Sequence, residues 1–303
     1  MNDKERELIR LVCNGDIRLA QKQARIILDG LTAKKDEQFQ KNMLRKLDAK
    51  GDFIELPYNL QHLLLAEDMT NFPHARFFLR KEEEKIVDRV IAIYRAADKL
   101  SEMGIPFLPA LILHGQSGCG KTMLARYIAH KAELPFVYVQ FSNLVESLLG
   151  KTQSNVARVF EYARATPCVL CFDEMDAIGM ARGQKDDVGE MNRIVIALMQ
   201  EMDRLSNKTI VIGTTNRFDR LDPALIRRFP LQYKLQPLDM AETRELAQKF
   251  FTYAGVEYES WIQEWCERSF DDLPPASTVV RECTEWIVQQ VLENEDFGSA
   301  TKK

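Results

Sequence analysis

Three short stretches carry the residue types that phosphate chemistry needs. The first is Leu111 to Thr122, reading Leu-Ile-Leu-His-Gly-Gln-Ser-Gly-Cys-Gly-Lys-Thr. An apolar run ends at Gly115, then come Gln116, Ser117, Gly118 and Cys119, and Gly120, Lys121 and Thr122 close the motif. This is the spacing of a phosphate-binding loop between a buried strand and a helix. Glycines let backbone N–H groups turn inward around phosphate oxygens, where a Cβ would obstruct the approach. A helix starting near Lys121 adds its N-terminal donors and the positive end of its dipole. Lys121 is expected to reach the β- and γ-phosphates, and the Thr122 hydroxyl to complete the shell of a Mg²⁺ ion. A bound nucleoside triphosphate is implied.

The second stretch, Val169-Leu170-Cys171-Phe172-Asp173-Glu174, is an apolar strand ending in two carboxylates. Asp173 at the strand tip can hold Mg²⁺ opposite Thr122, usually through water. Glu174 is placed to polarise a water attacking the γ-phosphate. Such a pair only solvates a loop when it stands alone; with a phosphate loop about fifty residues upstream it gains meaning. The third stretch runs from Ile210 to Phe229. There Asn216 ends a buried strand and could orient water or sense the γ-phosphate, while Arg227 and Arg228 follow a short helix. A phosphate-directed arginine accelerates phosphoryl transfer by about 10³ to 10⁵. Adjacent arginines can also simply face solvent.

Alternating elements must position these residues. Beside Leu111–Leu113, strands are expected at Phe136–Val139, Val169–Asp173, Ile210–Thr214 and Tyr233–Leu235. Helices fill the gaps at Met123–Lys131, Asn155–Thr166 and Glu190–Met202. Continuous apolar strands joined by helical crossovers indicate a parallel sheet covered on both faces. Lys81–Glu102 is a preceding amphipathic helix. After Pro237 the strands stop, and Ala241–Tyr253, Glu259–Arg268 and Ser277–Leu292 read as helices, with a frayed tail from Gly298. Upstream, residues 1–50 read as a helical module with Asp16 as a cap and a further helical stretch at Glu37–Leu47. Residues 51–80 form an irregular, Leu- and Phe-rich connection interrupted by Pro57 and Pro73.

Composition narrows the choice. The 303 residues are 46% hydrophobic and 28% charged, with a formal net charge of −4. Residues 1–50 carry +4 and the remainder −8, which supplies no field that would make nucleic acid the main ligand. No apolar run approaches the ~18 residues of a membrane span, so a cytoplasmic protein is expected. Six scattered cysteines suit reduced thiols. Cys168 and Cys171 lie three apart on a strand, where their side chains point to opposite faces, and are expected to be structural.

Taken together, Gly115–Thr122, Phe172–Asp176 and Thr214–Phe229 resemble the Walker A, Walker B and second region of homology of the AAA ATPases. The resemblance covers roughly Lys81 to Leu292, and Asp222-Pro-Ala-Leu-Ile-Arg-Arg-Phe229 is similar to the katanin and spastin group. It implies a P-loop α/β fold with a five-stranded sheet of order 5-1-4-3-2, an ATP-binding large subdomain at residues 81–237 and a helical lid at residues 238–303. It also implies a hexameric ring with ATP and Mg²⁺ at subunit boundaries. Asn216 would be sensor 1, Arg227 and Arg228 arginine fingers toward the neighbouring subunit, and Arg164 another interface arginine. A finger supplied in trans requires a head-to-tail interface, which closes into a ring if the rotation permits.

The chain departs from the family pattern in three places. Pro275-Ala276-Ser277 offers no arginine where sensor 2 sits in other branches, and Arg281 lies a turn later. The first pore loop lacks its aromatic residue, leaving Leu148, Leu149 and Lys151 as pore-loop candidates. Gly150-Lys151-Thr152 replaces the usual Gly-Glu-Ser. The leading reading is an ATP-driven motor that remodels, unfolds or disassembles a protein partner recruited by residues 1–80. Two others stand beside it: a nucleotide-gated regulatory subunit of a separate effector such as a protease, and a nucleic-acid-associated loader or regulator.

Overall fold

The computed structural model describes residues 3–13, 23–28, 30, 40, 54, 56–105, 107–139, 144, 152–176, 188–205, 208–267 and 274–300. Contacts divide the chain into two units, Met1–Asp52 and Phe53–Lys303. In the first, helix α1 (Asp3–Cys13) carries a buried Leu11, and residues 23–28 are helical with Leu28 buried. Gln23 Nε2 donates to the Lys4 carbonyl at 3.2 Å. The expected cap Asp16 and most of the Glu37–Leu47 stretch lie outside the described residues.

The second unit is built on one sheet. Its strands are β1 (Leu64–Glu67), β2 (Ala110–His114), β3 (Phe136–Val139), β4 (Cys168–Phe172), β5 (Thr209–Thr215) and β6 (Leu231–Lys234). Their order is β1-β3-β4-β5-β2-β6, all neighbours parallel except β1 against β3. The five expected strands therefore stand in the expected order 5-1-4-3-2. The sheet carries one strand more than the five anticipated. Leu64 and Ala66 turn inward and Leu65 outward, so the strand period is present. It spans only four residues and lacks β-branched side chains, too short a signal to read within a Leu-rich connection.

Helix α2 (Lys81–Glu102) and α3 (Lys121–Ala132) cover one face; α4 (Thr152–Ala165) and α5 (Val188–Asp203) cover the other. Alternation along β4 assigns its residues to separate cores. Cys168, Leu170 and Phe172 pack with Val156, Phe160, Ile194 and Leu198. Val169 and Cys171 pack with Val87, Val90, Leu124 and Ile128. The two cysteines thus occupy opposite faces, as a three-residue spacing on a strand requires, and burial raises both thiol pKa values. After the short helix α6 (Pro223–Ile226) and β6, a third core forms among α7 (Met240–Ala254), α8 (Glu259–Glu267) and α9 (Ala276–Ala300), around Phe251, Trp261, Trp265 and Val279. Helix α9 runs past the expected end at Leu292 and through Gly298 to Ala300. No helix among the described residues is long and apolar enough to cross a membrane.

Candidate functional site

The loop from β2 to α3 wraps around a point at the C-terminal edge of the sheet. Its turn depends on glycine: Gly120 caps α3 in the left-handed region at φ 101°. At Gly118 (φ 75°), a Cβ would collide with the Ser277 hydroxyl. Ser277 N–H donates to the Gly118 carbonyl at 3.1 Å, so the start of α9 rests directly on the loop.

Lys121 is buried, and its ammonium donates to the Gly115 carbonyl at 3.1 Å, the Gln116 carbonyl at 2.8 Å and Asn216 Oδ1 at 2.7 Å. The Thr122 hydroxyl donates to the two oxygens of Asp173 at 3.2 and 3.0 Å. These are adjacent hard oxygens, the donor chemistry that suits Mg²⁺, which keeps several waters and takes further oxygens from phosphates. Burial raises the Cys119 thiol pKa, against the opposing pull of Lys121.

The tip of β5 interlocks with the segment after β4. Thr214 is fully buried; its hydroxyl donates to Asp173 Oδ1 and accepts from the Glu174 N–H at 3.2 Å. The Thr214 carbonyl accepts from Met175 N–H at 2.9 Å. Glu174 has φ 54°, a left-handed backbone that surroundings must impose on a residue other than glycine. One residue on, Thr215 donates to Asp176 Oδ1 at 3.0 Å, and Asn216 N–H donates to the same oxygen at 3.2 Å. Asp173, Glu174 and Asn216 therefore meet Lys121 and Thr122 at one place, from three separate elements. Sequence reasoning passed over Thr214 and Asp176, although a threonine at the end of an otherwise apolar strand was a visible signal.

The arginines lie elsewhere. Asp222 caps α6 by accepting from Ala224 N–H at 2.7 Å, with Pro223 in the first turn, and this short helix presents Arg227 and Arg228. Arg227 is exposed. Arg228 bonds Asp203 at 3.1 Å and the Ala224 carbonyl at 2.9 Å. Arg164 pairs with Glu201 at 2.7 Å within the chain. Arg281 is largely exposed, approaches Glu285 at 3.9 Å and does not line the cavity described next. The pore-loop candidates Leu148, Leu149 and Lys151 lie outside the described residues.

The phosphate loop opens into a cavity of about 460 Å³. Its polar end is the loop with Asp173, Glu174 and Asn216; its far end is apolar, formed by Phe77, Phe78, Leu235, Leu238, Leu246 and Phe250. These six come from three segments: the approach to α2, the exit of β6, and α7. Arg80 joins all three. It stands at the N-cap of α2, forks onto Glu242 of α7 with two contacts of 2.6 Å, and donates to the Gln236 and Pro237 carbonyls at 3.1 and 2.7 Å. A longer contact of 3.3 Å reaches Glu83. The hydrogen bond from Arg80 holds Glu242 below its ordinary pKa, whereas burial raises that of Glu83. None of Phe77, Phe78, Arg80 or Glu242 was singled out in the sequence as a site residue. The signal that could have drawn attention to Glu242 was its capping-box spacing from Asp239.

Strand, glycine loop and helix in a sheet of this order define a P-loop α/β domain. Residues 111–237 match the ATPase family associated with various cellular activities (AAA). The chain is similar to the uncharacterized AAA family ATPase y4kL of Sinorhizobium fredii, 37% identical over 136 residues, covering 45% of this chain and 41% of that protein. It is also similar to the peroxisomal ATPase PEX6 of Candida glabrata, 29% identical over 316 aligned positions, covering 81% of this chain and 31% of that protein. Against PEX6 of Rattus norvegicus it is 44% identical over 121 residues, 39% of this chain and 12% of that one. The matches span less than half the length of each relative. The resemblance to AAA ATPases thus rests on residues 111–237.

Proposed function

We propose that this chain is an ATPase motor that hydrolyses ATP at the subunit interfaces of a homo-hexameric ring. The work done is remodelling, unfolding or disassembly of a protein partner recruited by residues 1–80. The observation that carries the ATPase reading is the convergence of Lys121, Thr122, Asp173, Glu174 and Asn216 at one end of a cavity whose other end is apolar. That gradient, from cations and carboxylates to aromatic and aliphatic side chains, matches a ligand with charged phosphates at one end and a flat base at the other.

In this reading the backbone of Gly115–Gly120, with Gln116, Ser117, Gly118 and Cys119 between, cradles the phosphates, and Lys121 neutralises the β- and γ-oxygens. Thr122 and Asp173 would hold Mg²⁺, which when bound would supply neutralisation of the phosphates' negative charge. Glu174 accepts a proton from the attacking water, and Asn216 orients that water or reports the γ-phosphate to β5. Arg227, exposed and without an ion pair among the described residues, supports the assignment of a finger reaching the neighbouring subunit's ATP. Arg228 is proposed as a second finger, but its bonds to Asp203 and Ala224 must be exchanged first.

Residues 81–237 are proposed as the large subdomain and 238–303 as a lid, a division supported by the separate core around Phe251, Trp261 and Trp265. We assign the chain to the cytoplasm, in keeping with buried thiols at Cys168 and Cys171. The test is a pair of variants. Lys121→Ala should abolish ATP binding. Glu174→Gln should bind ATP as the parent does and lose turnover by roughly 10² to 10⁴. Parental turnover in the Glu174 variant would remove that residue from the role of base.

A further inference from the structure

Arg80 directly follows Phe77, Phe78 and Leu79 of the cavity wall without lining the cavity itself, and stands far in sequence from every motif of the polar end. Its guanidinium carries five N–H donors in a fixed planar fork. The contacts given above engage Nε, Nη1 and Nη2, with acceptors on α2, on the chain between β6 and α7, and on α7 itself. The two backbone acceptors, Gln236 and Pro237, are where the chain leaves the sheet for the C-terminal helices. Glu242 is fixed in turn: it closes a capping box with Asp239, donated to by Asp239 N–H at 2.8 Å, and so cannot follow Arg80 without unwinding the first turn of α7.

The position matters because the residues on either side line the apolar end. Phe77, Phe78 and Leu79 precede Arg80; Leu235 and Leu238 flank the carbonyls it holds; Leu246 and Phe250 lie on the helix it grips through Glu242. Nearby, Arg76 lies over the Phe250 ring at 5.3 Å from its centroid, a second and weaker tie between the same two segments. Arg80 thus bonds to all three segments, alongside the apolar packing of Phe78 and Leu238 on the C-terminal core. A hydrophobic slot gains contact with a planar ligand only while its walls remain at contact distance, since a gap of an ångström forfeits much of the attraction.

We propose that Arg80 is a positioning residue for nucleotide binding: it holds the helices α7–α9 against the sheet at the spacing that lets the apolar end grip the base of a nucleoside triphosphate. This rests on the ATPase reading above but assigns a residue and a role outside it. Arg80 does not touch the phosphate end. Its loss therefore weakens affinity through the base and leaves the chemistry at saturation intact.

The experiment compares two probes by titration calorimetry, with turnover measured alongside. ATP uses both ends of the cavity; inorganic tripolyphosphate reaches only the polar end. In Arg80→Ala, ATP affinity should fall about 10- to 100-fold and KM should rise in parallel, the scale expected when a remote support is lost. Tripolyphosphate affinity and kcat at saturating ATP should remain within about twofold. Arg80→Lys keeps the charge and stem but lacks the fork, so it should resemble Arg80→Ala. Glu242→Gln should fall between these variants and the parent. Equal losses for ATP and tripolyphosphate, full rescue by lysine, or parental ATP affinity in both Arg80 variants would each overturn the assignment. A fall in kcat together with thermal stability would overturn it too, by showing a general structural role. If the unmodified chain binds tripolyphosphate and ATP equally weakly and hydrolyses neither, the ATPase reading itself fails, and this inference with it.

Discussion

The two ends of the cavity are built in opposite ways. At the polar end, Asp173, Glu174 and Asn216 directly follow the tips of β4 and β5, Lys121 and Thr122 open α3 one loop after β2, and the sheet brings the three tips side by side. Position there follows from backbone pairing, and the side chains add short mutual bonds, such as Lys121 to Asn216 at 2.7 Å. At the apolar end Leu235 continues the sheet, its N–H donating to the His114 carbonyl at 2.8 Å, but the other walls take no register from a strand. They are a segment before α2, the crossing after β6 and helices α7 and α9, and an arginine whose partner Glu242 is 162 positions away ties the first two to α7. Paired strands hold the first end, while a charged knot at Arg80 and apolar packing hold the second. Removing Glu174 or the Thr214 hydroxyl from the first end should cost turnover, Lys121 differing because it holds the phosphates themselves; loosening the second end should cost affinity.

The largest test of this contrast is on the phosphate side but from outside the chain. If Arg227 acts on a neighbour's ATP, Arg227→Ala should lower kcat by about 10³ or more with nucleotide affinity nearly unchanged. Arg228→Ala should cost less, because that side chain already has partners within its own chain. Mixing Arg227→Ala with Lys121→Ala protein should restore part of the activity in a steady-state assay, since some boundaries then pair an intact finger with an intact pocket. Proven mixed assembly without restoration would place the arginine's action in cis.

A smaller effect is expected at Thr214. Thr214→Val keeps the shape but deletes the hydroxyl shared by Asp173 and the Glu174 amide. Turnover should drop by about 10- to 100-fold, the size seen when supports of a metal ligand are removed. Thr214→Ser should recover most of it. Nucleotide affinity measured without Mg²⁺ should not change. If affinity fell instead, the two ends would not be separable as described.

The smallest effect concerns acid. Glu242 has a folded-state pKa lowered from 4.5, chiefly by its hydrogen bond from Arg80. Its contribution to stability is therefore complete above pH 4.5 and is lost as pH falls through the lower folded value. Glu83 runs the other way. Burial raises its pKa, so protonation relieves a cost and partly offsets the loss. Thermal unfolding of the parent and Glu242→Gln should differ by about 3 °C or less at neutral pH, with the gap closing below pH 4.5. A gap that stayed constant down to low pH would show that the carboxylate charge does not hold α7.

Much of this was legible in the residues. Lys121, Thr122, Asp173, Glu174 and Asn216 announce themselves because a phosphate loop and strand-tip acids need particular residue types at fixed local spacing. The five parallel strands follow from apolar runs of the right length. The sixth strand was missed because Leu64–Glu67 is short and takes its pairing from β3, not from its own sequence. Thr214 could have been found as a hydroxyl ending an apolar strand, but its two partners sit on another strand's exit.

Sequence alone determined which residue types stand at the polar end and the chain order of the elements that carry them, since both follow from local spacing and one repeating period, whereas the meeting of Lys121 with Asn216 is the work of the sheet. Only the tertiary structure decided that Arg80 meets Glu242, Gln236 and Pro237, which side chains form the apolar wall, and that Arg228 is engaged within its own chain while the Arg227 side chain has no ion pair among the described residues. Those outcomes depend on how distant segments fall together in space. An isolated arginine before a helix carries no local mark of the carboxylate it will find 162 positions along the chain.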